Sequence, residues 1–355
     1  METWRTRMPP DMLLRSDWKE TSLSAPGEAG SIDRWAELTG EEREEPIPLQ
    51  KFLRYAKWFR RVFAPEGDPS NVVSLERAAK GYRLTTAAGD EVEAESVVIA
   101  VGAIPFANAP PPFTDAMGDG VTFATDLQDY GVYRDRRVVV VGGGQGGLES
   151  ATMAAQAGAD VELVIRSHLR WFADREPHRP RGPLRQRLYR IAYPVVGYGP
   201  PPLNRLALHP DVFALFPKPA RRFLSRRILR AGGSPWLRGK VERMVRVSEG
   251  LAVDAIQRNG TVRLQLSDGS VREADAVIVA AGFRFNLDSL AFLSPEVRSR
   301  IAVEDGWPVL DRSFRSTEKG VLFVGFAAEQ RFGPIARFIP GTKFTANRVG
   351  AALTR

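Results

Sequence analysis

Cysteine is absent from this chain of 355 residues. Without a thiol there is no disulfide, no thiolate metal site and no Cys-x-x-Cys redox pair. Histidine is scarce: His168, His178 and His209 are the full set. Their spacing is too loose, and carboxylates around them too few, to hold a metal, so none is assigned. No apolar run is long enough to span a bilayer, and the longest candidate, 97–107, is interrupted by Gly102 and Pro105. The first residues have no apolar segment of the secretory-signal type. These absences lead to the expectation of a cytoplasmic protein with no membrane span. There is also no Ser-His-Asp set and no paired-carboxylate signature, so no side chain is assigned as catalytic.

What is present fits a globular, enzyme-like protein of about two domains, with 43% hydrophobic and 26% charged residues. The most informative stretch is Arg137-Val-Val-Val-Val-Gly142-Gly-Gly144-Gln-Gly-Gly147-Leu-Glu149. Four consecutive valines read as a strand buried on both faces. Gly142, Gly144 and Gly147 have the G-x-G-x-x-G spacing, with Gln145 and Gly146 between them. A small-residue helix through Ala151, Met153, Ala154 and Ala155 should stop near Gly158, and a second apolar strand should run from Val161 to Ile165. In that context each glycine has a purpose: a tight turn, close approach to a pyrophosphate, and close helix–strand packing. The helix N-terminus then offers free N–H groups to the phosphates. The alternative is a glycine-rich turn without a ligand.

The end of the second strand bears on which dinucleotide binds. An NAD site usually has an acid there to bond the ribose 2′-OH. Here the strand ends in Ile165, Arg166 and Ser167. A guanidinium suits a 2′-phosphate, which favours NADP(H). The competing reading is an exposed arginine at a strand end.

A repeat is the second feature. Residues 82–102 (YRLTTAAGDEVEAESVVIAVG) align without a gap with residues 262–282 (VRLQLSDGSVREADAVIVAAG), identical at eight of 21 positions. Each copy reads as strand, turn, short strand and buried strand ending in glycine, at Gly102 and Gly282.

These residues carry a family resemblance. Gly142-Gly-Gly-Gln145, Val97 to Pro105, Ala276 to Phe283, and Gly320 to Gly325 running into Phe332-Gly333-Pro334 and Phe338-Ile-Pro-Gly341 resemble the two-dinucleotide-domain flavoproteins. The likeness is greatest to the flavin-containing and N-hydroxylating monooxygenases. It covers most of the chain outside 168–239. It implies an α/β fold of two Rossmann-like, three-layer ββα domains. The FAD-type domain would comprise 1–129 and 283–355, with an NADP-binding domain of 130–282 inserted into it. The resemblance implies that Gly142, Gly144, Gln145, Gly146, Gly147, Glu149, Arg166 and Ser167 face NADP(H). On the flavin side it implies Met12, Gly102, Ala103, Pro105, Gly282, Phe332, Gly333, Pro334 and Gly341.

The second repeat copy has its glycine motif upstream, at Gly142, but residues 1–101 contain no G-x-G-x-x-G. The opening residues resemble the family segment that follows the first βαβ unit. The expectation is an FAD-type domain lacking that unit, from an internal start codon or a truncated form, with FAD held weakly or lost. The Baeyer–Villiger fingerprint is also absent, since Phe123-Ala-Thr-Asp-Leu127 lacks its histidine. The family's small polar residue after the glutamine is replaced by Gly146.

Charge is uneven. The net charge is +8, yet residues 166–240 alone carry 17 Lys/Arg against three acids. This stretch, 168–239 at its core, reads as a basic helical insertion of the NADP domain. One helix has Leu184, Leu188, Ile191 and Ala192 on a face. A second, Pro219–Ala231, has Phe223, Leu224, Ile228 and Leu229 inside and Arg221, Arg222, Arg226, Arg227 and Arg230 outside. A solvated insertion is preferred to peripheral membrane contact, and no nucleic-acid partner is assigned. The amphipathic run Leu49–Phe63 reads as a helix packed on the first domain.

Three functional readings follow. One is an FAD- and NADPH-dependent, monooxygenase-like oxidoreductase acting on a small nucleophilic substrate. Another is an NADP-binding module without enzymatic activity. The third is an inactive truncated flavoprotein.

Overall fold

The computed structural model describes residues 2–172, 182–185, 187 and 199–354. Packing divides the chain into two units. One comprises Met1–Met12, Ala107–Pro180 and Ala231–Arg284, and the other Leu13–Phe106, Arg181–Arg230 and Phe285–Arg355.

The second unit contains an antiparallel meander of β1 (Val72–Arg77), β2 (Tyr82–Thr86) and β3 (Glu91–Ala94). The next strand, β4 (Val97–Ile99), pairs in parallel with Val321–Phe323 on one edge. Among the described residues nothing pairs with its other edge, where the backbone groups of Val98 point. The helix Leu49–Phe63 buries Phe52, Tyr55 and Ala56 in an aromatic cluster with Trp35, while Lys57 and Arg61 face solvent. The Tyr55 hydroxyl donates to the Gly30 carbonyl at 2.5 Å and accepts from the Leu23 amide at 2.7 Å. That apolar face is therefore satisfied within the unit.

The first unit is built on a five-stranded sheet. Its strands are β5 (Val121–Phe123), β6 (Arg137–Val141), β7 (Asp160–Ile165), β8 (Arg246–Glu249) and β12 (Ala276–Val279). Their order is β5-β12-β6-β7-β8 and all pairs are parallel. A meander of β9 (Val253–Asn259), β10 (Thr261–Leu266) and β11 (Val271–Ala274) precedes β12.

The valine run is buried on both faces because each face has its own cover. Val138, Val140, Leu163, Ile165 and Ile278 pack on Leu148, Ala151 and Ala154 of the helix Gln145–Gln156 and on Leu237 and Val241 of the helix Pro235–Met244. Val139, Val164, Val277 and Val279 pack on Val262, Leu264 and Leu266 of the meander. A helical layer, a parallel sheet and a meander give the three-layer ββα arrangement.

The repeat is reproduced in register. Tyr82 pairs with Ala94 and Arg83 with Glu93, while Val262 pairs with Ala274 and Arg263 with Glu273. Both hairpins turn at a glycine of positive φ, Gly89 (φ 90°) and Gly269 (φ 83°).

The unit boundaries differ in three places from those drawn on the sequence. Residues 107–129 group with the glycine-turn unit because β5 pairs with β12. The first residues join the same unit, where Arg7 binds Asp126 at 3.0 Å and Gln128 donates to the Arg5 carbonyl. Arg181–Arg230 groups instead with the second unit. Ala207, Phe213 and Ile228 there form a small core with Phe338.

Within this basic stretch the helix is Lys218–Ile228, and its faces differ from expectation. Phe223 is 61% exposed and Arg221 only 6%. Arg221 shares a helical face with Leu224 and Ile228 at spacings of three and seven, so helix geometry turns it inward with them. Most of the expected helix at 184–192 lies outside the described residues, and Leu184 itself is exposed.

Candidate dinucleotide site

The site grows from the C-terminal end of β6. Gly142 leaves the strand at φ 131°, a conformation that disfavours any side chain. A Cβ there would lie 2.3 Å from the carbonyl oxygen of Ala280, at the end of β12. The Gly142 amide donates to the Val164 carbonyl at 3.1 Å, which ties the turn to β7. Gly144 behaves differently. Its backbone is extended (φ −90°, ψ 177°) and a Cβ would meet no protein atom within 4 Å. Gly146 is equally open. The turn is thus closed against the sheet at Gly142 and open on the side of Gly144 and Gly146.

The helix Gln145–Gln156 has no side-chain cap at its N-terminus. The amides of Gln145, Gly146 and Gly147 precede the first intrahelical bond, from Leu148 N–H to the Gly144 carbonyl at 3.1 Å. Uncapped N–H groups at a helix start, next to backbone with no Cβ, form a concentrated set of donors at the positive end of the helix dipole.

The polar side chains of the first turn are braced. Gln145 Oε1 accepts from both the amide and the hydroxyl of Ser234, each at 2.9 Å. Its Nε2 donates to Glu149 Oε1 at 2.6 Å, and Glu149 is buried. Ser234 is held in turn by a short parallel pairing: the Phe172 amide donates to the Gly233 carbonyl and the Gly233 amide to the Arg170 carbonyl, both at 2.8 Å. Ser150, one residue on, shares a 2.8 Å hydrogen bond with the Tyr130 hydroxyl. Burial pushes the Tyr130 hydroxyl up to about 12, against the opposing effect of Ser150.

Arg166 and Ser167 follow β7 and are exposed. Arg166 makes no hydrogen bond or ion pair with a described residue, leaving its guanidinium available. The turn around it is set by Glu249 of β8, which pairs with the residue just before Arg166. Glu249 accepts from the Leu169 amide at 3.0 Å and lies 2.9 Å from His168 Nδ1. These two bonds, His168 first, hold its carboxyl below the usual range. An acid does stand at this edge of the sheet, but on β8, and it is engaged with the turn.

The flavin-side candidates fall in both units, Met12 and Gly282 in the first and the others in the second. Gly102, Ala103 and Pro105 follow β4, with Gly102 and Pro105 exposed, and Gly102 at φ 75° repeats Gly282 at φ 81° in the other unit. Met12 is half-buried. Phe332, Gly333, Pro334 and Gly341 are interior residues. Phe332 stacks on Phe314 at 4.1 Å, a Cβ on Gly333 would lie 2.8 Å from the Phe213 ring, and one on Gly341 would lie 2.2 Å from the Ile335 carbonyl. In this arrangement they serve packing. Among the described residues of this unit, no strand beside β4 leads through a glycine turn into a helix. The described residues therefore do not supply a flavin pyrophosphate cradle.

A cavity of about 480 Å³ lies elsewhere, lined by Val121, Tyr133, Arg136, Asp275 and Ala276. It sits at the N-terminal ends of β5 and β12, opposite the strand ends at which parallel α/β sheets bind ligands. No group of metal-ligating side chains occurs among the described residues, and none of their helices is long and apolar enough to cross a membrane.

Sequence reasoning located the glycine turn but missed Ser234, Tyr130 and Glu249. Each reaches the site from a segment distant in the chain, with no local motif to flag it.

Comparison with known proteins gives a consistent picture. The family model described as pyridine nucleotide-disulphide oxidoreductase matches residues 43–188, less than half of the chain. The chain is 27% identical over 236 residues to the probable indole-3-pyruvate monooxygenase YUCCA3 of Arabidopsis thaliana, a match covering 61% of this chain and 48% of that protein. It thus spans about half the length of that curated relative. In structure it is similar to the cadaverine monooxygenase DfoA of Erwinia amylovora, solved with FAD, at a TM-score of 0.74 and 16% identity over 99% of this chain and 85% of that one. It is also similar to the L-lysine 6-monooxygenase of Pseudomonas syringae, at a TM-score of 0.72 and 19% identity over 100% of this chain and 88% of that one.

Proposed function

We propose, from a fold shared with FAD- and NADPH-dependent monooxygenases, that this protein takes part in NADPH-dependent oxidation–reduction of the flavin monooxygenase type. The observation that carries the reading is the turn at Gly142–Gly147, open at Gly144 and leading into an uncapped helix within a parallel sheet. Dithiol chemistry, which the name of the matching family includes, is excluded because the chain has no cysteine.

In this reading the amides of Gln145, Gly146 and Gly147 receive the pyrophosphate of NADP(H), and Gln145, braced by Ser234 and Glu149, keeps the first helical turn in place. Arg166 and Ser167 receive the 2′-phosphate, a guanidinium being suited to bidentate phosphate contacts. A bound flavin would supply hydride acceptance from the nicotinamide and, in its reduced form, reactivity toward dioxygen. The described residues lack its pyrophosphate cradle. A small molecule with a soft nucleophilic atom is the substrate class proposed.

The missing cradle specifically favours a second reading, a module that binds NADP(H) without turning over. One experiment separates the two. Binding of NADPH and of NADH is followed by fluorescence, and NADPH consumption is then measured with FAD and dioxygen added. Binding with FAD-dependent consumption supports the enzyme, binding alone supports the module, and no binding of either nicotinamide nucleotide overturns both.

A further inference from the structure

The second unit contains arginines that form no ion pair with a described residue, although Glu304 and Asp311 lie near enough to favour their charge. Arg221, buried on the helix Lys218–Ile228, directs Nη1 to the Ala214 carbonyl at 3.4 Å. Arg331 directs its own Nη1 to the same oxygen at 3.0 Å. The Nε of each is buried and has no acceptor. Two guanidinium groups therefore converge on one uncharged oxygen, and each keeps a buried N–H unsatisfied. Arg312, exposed and without an ion-pair partner among the described residues, is tied to the same region by its carbonyl, which accepts from Arg348 at 3.2 Å while Arg348 binds Asp211, and its charge opposes that of Arg331.

The acids around them are committed. Glu304 is bonded to Lys218. Asp211 binds Arg348 at 2.7 Å. Asp311 accepts from the Ser313 and Arg315 amides at 2.7 and 2.9 Å. Burial, followed by the neighbouring arginine, opposes the charge on both Arg221 and Arg331. A lysine or histidine so placed would shed its proton, but a guanidinium does not deprotonate in proteins. An uncompensated buried charge of this kind is costly unless paired. The relief open to this cluster is an anion from outside the chain.

We infer that Arg221, Arg331 and Arg312 form a binding site for an oxyanion, the phosphate or carboxylate group of a small molecule. The N–H groups of a guanidinium fork match the oxygens of either group.

Thermal unfolding of the full chain at fixed ionic strength tests it, with chloride replaced by inorganic phosphate or by acetate. Wild type should gain stability saturably in at least one oxyanion. A response to phosphate alone identifies a phosphate-bearing ligand, and an equal response to acetate a carboxylate-bearing one. Arg331→Met should melt higher than wild type in chloride, since it removes one of two repelling charges, and should lose the oxyanion response. Should that variant fail to fold, Arg312→Gln at the exposed edge should remain folded and bind the same anion about tenfold more weakly by calorimetry, the scale of one charge-assisted contact. An oxyanion response that is absent in wild type, or equal in wild type and the variants, overturns the site.

Discussion

Gly147 and the Gly142 carbonyl are in van der Waals closure: a Cβ on Gly147 would stand 1.9 Å from that oxygen. The helix can approach the turn this closely only because residue 147 has no side chain. Gly147→Ala should therefore force the helix off the sheet and destabilise the unit by about 3 kcal/mol, the upper part of the range for overpacking. Gly144→Ala should leave stability within about 0.5 kcal/mol, because its Cβ meets only open space and its backbone suits alanine. It should still lower NADPH affinity by roughly tenfold or more, since the new methyl stands where a pyrophosphate would approach. Chemical denaturation and nucleotide titration of the two variants check this opposed pattern.

Arg166→Ala should cost NADPH about 1–3 kcal/mol of binding and leave NADH almost unchanged. The partnerless, exposed guanidinium after β7 is the basis for this expectation. Titration of both nucleotides into wild type and variant decides it. An unchanged NADPH/NADH ratio would show that Arg166 is a solvated strand-end residue.

Tyr130 should ionise near pH 12, well above an ordinary tyrosine. A folded-state value raised above the unfolded one means stability fully present below about pH 10 and lost as pH rises toward 12. Two pH units correspond to about 2.7 kcal/mol. Burial raises the hydroxyls of Tyr55, Tyr82 and Tyr133 as well, so ultraviolet titration of Tyr130→Phe should show one late-ionising phenol fewer than wild type, and the variant's unfolding free energy should decline less between pH 10 and 12.

The 355-residue chain, mixed with FAD and desalted, should retain little flavin. A glycine turn at a helix start contributes several N–H bonds to a pyrophosphate, each worth about 1 kcal/mol or more when charge is involved. No such turn adjoins β4 among the described residues. A stoichiometric flavin spectrum after desalting would show that other groups of this unit hold the cofactor.

The parts of the molecule legible in the sequence are those fixed by neighbours in the chain. The valine run, the spacing of Gly142, Gly144 and Gly147, and the two hairpins 180 residues apart are local patterns, and each appears where its pattern places it. What was not legible depends on contacts between distant segments. Nothing near Ser234 marks it as the partner of Gln145. Nothing near Val121 says that its strand joins β12. The inward turn of Arg221 follows from helical spacing, yet hydrophobicity alone ranked Phe223 as the buried residue. Phe332 resembles a cofactor-facing residue by motif, but its stacking on Phe314 becomes visible only once both rings are placed.

Val98 of β4 and Ile278 of β12 hold the same position in the two copies of the repeat, but only Ile278 is enclosed by paired strands on both sides. The Val98 amide, partly exposed and without a strand partner among the described residues, should exchange faster than amides in the interior of β12, whose exchange requires the sheet to open. The same hairpin-and-strand pattern thus ends in an enclosed strand in one unit and in a strand open on one edge in the other. A strand margin with unsatisfied donors and acceptors is also a template for further strands.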